Sequence, residues 1–168
     1  MAKAEEKIIG LKLFFKLGEK IDFTLPDLAG KKVSISDYKG KVILVFFFTT
    51  WCPYCSAEAP YIEKEIWKKL KSHGVQVLAV DVQEDKELVQ KMRDRFKWTF
   101  PVLLDTDGKV TKKFAPEKEG LPPDVAIINS HFILDRNQQM RYYEYLNMER
   151  FDAHALATIK KLEEVLAE

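Results

Sequence analysis

Cysteine occurs only at positions 52 and 55 of the 168 residues. A bridge across so short a span closes too small a loop to constrain the unfolded chain, so a stabilising structural disulfide is excluded. Histidine is nearly as scarce, and His73, His131 and His154 are scattered. A zinc site built on one C-x-x-C wants a second ligand pair at similar spacing, which the chain lacks. No stretch approaches the ~18 to 20 consecutive apolar residues of a membrane-spanning helix. The opening Met1 to Lys20 carries Ile8-Ile9-Gly10-Leu11 and Leu13-Phe14-Phe15, but Lys12 and Lys16 interrupt it and no small-residue cleavage site follows, so it does not read as a signal peptide. Charge of one sign never accumulates: 27 basic side chains stand against 26 acidic ones, without a block. That balance argues against nucleic acid or an anionic membrane as the main partner.

What the chain has is apolar material, 46% of its residues, enough for the core of one domain. Its longest apolar run, Val42-Ile43-Leu44-Val45-Phe46-Phe47-Phe48, reads as a strand buried on both faces, as in a parallel sheet. Trp51-Cys52-Pro53-Tyr54-Cys55 follows almost at once. The cysteines therefore lie where that strand ends and a helix begins, facing unpaired backbone N–H groups and the positive end of the helix dipole. Residues three apart share a helical face, so Cys52 and Cys55 come within disulfide reach. Pro53 suits the first helical turn. Cys52 is expected exposed at the helix start with a lowered pKa, as the attacking sulfur; Cys55 is expected one turn in and more buried, as the resolving sulfur.

The same residues carry a resemblance. Asp22-Phe23-Thr24-Leu25, Gly30 through Lys41, Thr50 through Cys55, Glu58-Ala59-Pro60, Phe100 through Asp105 and Phe132-Ile133-Leu134-Asp135 occur in the order and near the spacing of the thioredoxin superfamily. Within it they resemble the redoxin or AhpC/TSA-type thiol-disulfide oxidoreductases of the TlpA and ResA group. The resemblance implies an α/β thioredoxin-like fold, a central mixed sheet flanked by helices, with an N-terminal β-hairpin extension. It implies residues 1–168 as one such domain, with 1–20 an arm or accessory strand. It also implies a redox-active Cys52–Cys55 disulfide and no other cofactor. A protein disulfide or dithiol substrate and an upstream redox partner go with it. Relatives of this kind are usually exported or anchored, so a periplasmic or extracytoplasmic location with a leader removed is expected, a cytoplasmic one being the alternative. The Pro53-Tyr54 dipeptide resembles that of glutaredoxins, which implies a potential less reducing than thioredoxin's ~−270 mV.

In chain order, Phe23 to Leu25 and Val33 to Ile35 flank a turn and suggest a hairpin at the sheet edge. The helix from Cys52 should run to about Ser72, with Ala59, Ile62, Ile66 and Leu70 toward the sheet and a kink at Pro60. Val75 to Val80 reads as a second parallel strand. Asp85 to Phe96 reads as a helix on the other side of the sheet, with Leu88, Met92 and Phe96 on its apolar face. Val102 to Leu104 is a short strand, Val110 to Phe114 a short helix, and Val125 to Leu134 pairs with Met140 to Tyr145. A last helix, roughly Met148 to Ala167, places Leu156, Ile159, Leu162 and Leu166 against the sheet.

Around the cysteines, Phe46 stands six residues before Cys52, where thioredoxin has a buried Asp, so the proton acceptor for Cys55 must come from elsewhere. Glu58 is the candidate, against the alternative of a solvated surface carboxylate. Asn129 falls, six residues before Asp135, where the superfamily has a cis-proline; a non-proline cis bond costs about 2.5 to 4 kcal/mol, so a trans peptide is expected there. Trp51 and Tyr54 are read as an apolar rim, with core packing the alternative for Trp51. A peroxiredoxin-like thiol peroxidase is the second reading: Thr49 matches its Thr three residues before the reactive cysteine, but Asn129 stands where its Arg would be. A Cu(I) chaperone is the third, with His131 as the added ligand, although such proteins space their cysteines one residue wider.

Overall fold

The computed structural model describes residues 12–168. The part of the N-terminal arm before Lys12 lies outside the described residues. The main sheet has five strands in the order β5-β4-β3-β6-β7. Its centre is β3, Val42–Phe48, all seven residues of which are buried. β3 pairs in parallel with β4, Val75–Val82, and antiparallel with β6, Ser130–Leu134. β5, Val102–Asp105, extends the parallel side, and β7, Met140–Glu144, closes the antiparallel side. β1, Thr24–Pro26, and β2, Lys32–Ser34, form the expected hairpin, but as a separate two-stranded sheet. Among the described residues, the bridge Asp27–Leu103 joins it to the main sheet, and Leu25 and Val33 pack into the same core as Phe47 and Leu103. The apolar β3 run is double-sided because each face carries its own core, each fully buried Val or Leu contributing about 1.5–3 kcal/mol.

On one face pack α1, Pro53–Tyr61, and α3, Lys86–Phe96, with Cys52, Cys55, Ala59, Ile62, Val89 and Met92 in one cluster. The expectation that these helices take opposite faces is corrected: β3, β4 and β5 are successive neighbours, and two right-handed crossovers running the same way put both helices on the same side. The phase of α3 is corrected too, Val89 being buried and Leu88 exposed. Pro60 lies inside α1, and the chain beyond it winds as a π-helix over Ile62–Trp67, where the N–H of Lys68 reaches back to Glu63 O. α2, Lys68–Leu70, and a 3₁₀ turn ending at Gly74, with φ of 96°, complete the crossover.

The opposite face holds Phe15, Ile21, Phe47, Phe114 and Phe132, beneath α4, Lys109–Phe114. Strand is absent from Val125 to Asn129: Pro123 opens a short helix, α5, Pro123–Ala126, and Asn129 takes a left-handed φ of 61°, so β6 begins only at Ser130. The last helix, α6, spans Leu156–Leu166. It starts later than the apolar spacing suggests because Asp152 accepts the N–H groups of His154 and Leu156 and Ala155 is left-handed. Thr158, Leu162 and Val165 face the core, and Leu156 is exposed.

Candidate active site

Cys52 is the N-cap of α1, in extended conformation, and Pro53 follows as the first helical residue, where its missing N–H costs nothing. The Cys52 sulfur accepts the N–H of Cys55 at 3.3 Å. Both cysteines are free thiols. The Cys55 thiol, hydrogen-bonded to Cys52, is the largest influence on Cys52 and lowers it to about 7. Burial opposes this, the N–H groups of Cys55 and Tyr54 add to it, and the Glu58 charge works against it. Cys55 moves the other way, held far above an ordinary thiol by its bond to Cys52, by burial and by the Cys52 charge. The two sulfurs are thus driven apart in acidity, as an attacking and a resolving thiol require.

One expectation is corrected. Cys52 is not exposed: it retains 3% of its accessible surface, against 0% for Cys55. The cap geometry turns its sulfur inward onto the Cys55 N–H, while Trp51, 65% exposed, and Pro53 project outward. Trp51 therefore lies outside the core. Tyr54 is half-buried, its ring edge-on to Phe151 at 4.9 Å.

Glu58 is no surface carboxylate, being 2% exposed. Its Oε1 meets His131 Nε2, and its Oε2 accepts Asn129 Nδ2 at 3.4 Å. Asn129 N–H in turn bonds Phe47 O at 2.9 Å, and no described peptide is cis. His131 sits opposite Phe46 in the β3–β6 register, and its Nδ1 lies 2.7 Å from Thr158 Oγ1. Both ring nitrogens are thus engaged, which leaves His131 no free nitrogen for a metal shared with the cysteines. Among the described residues, no group of three or more His, Cys, Asp or Glu is arranged to hold a metal. Glu58, Asn129, His131, Glu144, Arg150 and Asp152 help to line a cavity of about 300 Å³ between α1, β6 and the start of α6.

Reading the sequence brought Cys52, Cys55, Trp51, Pro53, Tyr54, Glu58 and Asn129 forward, and all stand around this helix start. Thr158, Phe151 and the pairing of His131 with Glu58 are visible only in the structure. A threonine at 158, in phase with Leu162 and Val165 on the buried stripe of α6, is the signal that a polar partner lies beneath.

The profile of the AhpC/TSA family matches residues 17–143. The chain belongs to that family. The thiol-disulfide oxidoreductase ResA of Geobacillus kaustophilus is 35% identical over 120 residues, 71% of this chain and 63% of the relative. The match thus spans somewhat less than two thirds of that curated protein. Among solved structures, a Bacteroides thetaiotaomicron protein assigned as a disulfide isomerase is similar with a TM-score of 0.77 and 28% identity, covering 94% of each chain. The peroxidoxin BcpB of Mycobacterium tuberculosis is similar in fold, with a TM-score of 0.71 at 20% identity, over 91% of this chain and 97% of its own. Together with the mixed five-stranded sheet, these likenesses show the thioredoxin-like fold of this AhpC/TSA member.

Proposed function

We propose that this AhpC/TSA protein is a thiol-disulfide oxidoreductase that exchanges disulfides with a protein partner through a mixed disulfide on Cys52. The observation that carries the reading is the Cys52 sulfur capping α1, lowered to about 7 beside a Cys55 thiol raised far above it. At neutral pH a large fraction of Cys52 is thiolate and attacks a partner disulfide; the released partner sulfur leaves with the electron pair. Cys55 then loses its proton and attacks Cys52 Sγ, forming the Cys52–Cys55 disulfide and releasing the second partner thiolate. Glu58, three residues beyond Cys55 on α1, buried and acting on both thiols, is the acceptor for that proton. Trp51 and Tyr54 form the rim on which an extended partner chain lies. The similarity to ResA supports this assignment, and an extracytoplasmic location belongs to the same proposal. A peroxidase would need a cation at the Asn129 position to polarise peroxide, whereas the neutral Asn129 amide donates to Glu58.

Trapping with Cys55→Ser tests the reading. The variant should accumulate a disulfide-linked adduct on Cys52 that dithiothreitol releases, and Cys52→Ser should give none. Adduct formation at neither sulfur, in cell extract or with a disulfide-containing peptide, overturns it.

A further inference from the structure

The proposed chemistry leaves one buried group unused. His131 arises from β6, is 4% exposed, and lies between Glu58 on α1 and Thr158 on α6. Asn129 donates a hydrogen bond to Glu58 and His131 meets its other oxygen, and among the described residues no other bond or ion pair reaches the carboxylate. A carboxylate so enclosed, without a cation, would be an uncompensated buried charge, which proteins relieve by protonating the group. A carboxyl already protonated cannot receive the proton of Cys55. We propose that His131 is the positioning residue of the resolving step: its ring holds Glu58 charged and fixed one helical turn beyond Cys55, ready to accept that thiol's proton.

This role rests on the exchange reading and deepens it. In the step, Cys55 Sγ–H passes its proton to Glu58. The freed sulfur pair forms the bond to Cys52, the Cys52–partner bond breaks, and its pair leaves on the partner thiolate, which later takes up the proton. The Cys52 and Cys55 sulfurs are oxidised and the partner disulfide is reduced. Among the described residues, the titratable and charged groups around the ring are Glu58 from α1 and Glu144 from β7. Arg150 and Asp152 line the same cavity from the stretch before α6. Burial, the largest influence on His131, disfavours its charge, but the charge and hydrogen bond of Glu58, with Glu144 behind, overcome it and raise the group above an ordinary histidine. Thr158 Oγ1, which also reaches Glu144 at 3.3 Å, holds the other edge of the ring.

The test uses the full chain with Cys52 converted to its mixed disulfide with thionitrobenzoate, a chromophore whose release reports the attack of Cys55. His131→Gln and His131→Asn remove the cation and retain amide donors. Release should slow by at least about tenfold near neutrality and its profile move to higher pH, since a general base contributes on the order of a hundredfold or more. Alkylation of Cys52 should move the opposite way, to lower pH, because the opposing Glu58 charge is gone. Neither change should appear on top of Glu58→Gln. A ring that merely packs the core would not shift the two profiles in opposite directions. Unchanged release, or the same slowing in the Glu58→Gln background, overturns the role. Absence of release from the wild-type chain at every pH overturns the exchange reading with it, whereas normal wild-type release with unchanged His131 variants overturns the role alone. Should the variants not fold, the wild-type ring nitrogens decide by their NMR shifts. An imidazolium that persists above the ordinary ~6.5 and is lost in Glu58→Gln supports the role, and a ring already neutral at pH 6 overturns it.

Discussion

The sulfur of Cys52 accepts the backbone N–H of Cys55 at 3.3 Å, and the Cys55 thiol supplies the strongest influence lowering Cys52 to about 7. Iodoacetamide should therefore give one adduct, on Cys52, with a midpoint near that value, and leave Cys55 unmodified. Cys55→Ala removes the side-chain donor but keeps the N–H, so the midpoint should rise toward the ordinary ~8.5 of a free thiol. Cys55→Ser retains a hydroxyl donor and should fall between. Rates followed by mass spectrometry across pH decide it; equal midpoints for all three would show that the thiol contact sets nothing.

Asn129 gives the sharpest backbone prediction. Its φ is 61° and its N–H bonds Phe47 O at 2.9 Å. Proline, which a thioredoxin-like chain commonly has here, fixes φ near −65° and has no N–H. Asn129→Pro should therefore cost about 3 kcal/mol or more, read as a drop in the urea midpoint. Asn129→Gly fits the left-handed backbone, so it should stay within about 1 kcal/mol of wild type while losing the bond to Glu58. A stable proline variant would mean that this turn is free to rearrange.

These two sites also mark what could be read from the sequence. The β3 run, the helix start at Cys52, the offset of Glu58 and the Asn129 substitution are all local facts, fixed by spacing along one element. The inward turn of Cys52, the shared face of α1 and α3 and the Glu58–His131 pair depend on how elements meet. Residues 58 and 131 are 73 apart in sequence, and no periodicity within either element reports on the other. The phase of α3 is not legible for a smaller reason: Leu88 and Val89 are adjacent and both apolar, and only packing against the sheet chooses between them. The same holds for Leu156, whose exposure follows from the Asp152 cap that delays α6.

Trp51 separates recognition from stability. At 65% exposure its ring contributes little to the core, so Trp51→Ala should change the urea midpoint by no more than surface substitutions do, about 0.5 kcal/mol. If the ring is the rim on which a partner chain lies, exchange with a peptide disulfide should slow several-fold while alkylation of Cys52 by iodoacetamide does not. Measuring both on one preparation separates them, and equal slowing of the two would place Trp51 in the acidity of Cys52 instead.

Asp81 links the site to the pH dependence of folding. It lies in β4 at 0% exposure, and its Oδ1 accepts the N–H of Glu84 at 3.0 Å. Glu84 in turn holds Thr50, two residues before Cys52, taking its N–H at 2.7 Å and its hydroxyl at 2.6 Å. Burial, then the hydrogen bond and charge of Glu84, raise Asp81 from 3.8 to about 9. The native chain thus binds this proton more tightly than the unfolded chain does. Its contribution is fully present below about 3.8 and is lost as pH rises through about 9. Asp81→Asn keeps an acceptor for the Glu84 N–H and a donor for its carboxylate, without a titrating group. Relative to that variant, wild-type stability should fall between about pH 5 and pH 9, by at most ~1.4 kcal/mol per pH unit, and level off above. Urea titrations of both proteins across that range give the difference directly. Parallel curves would mean that Asp81 is ionised in the folded chain, and the clamp on Thr50 would then join two like charges.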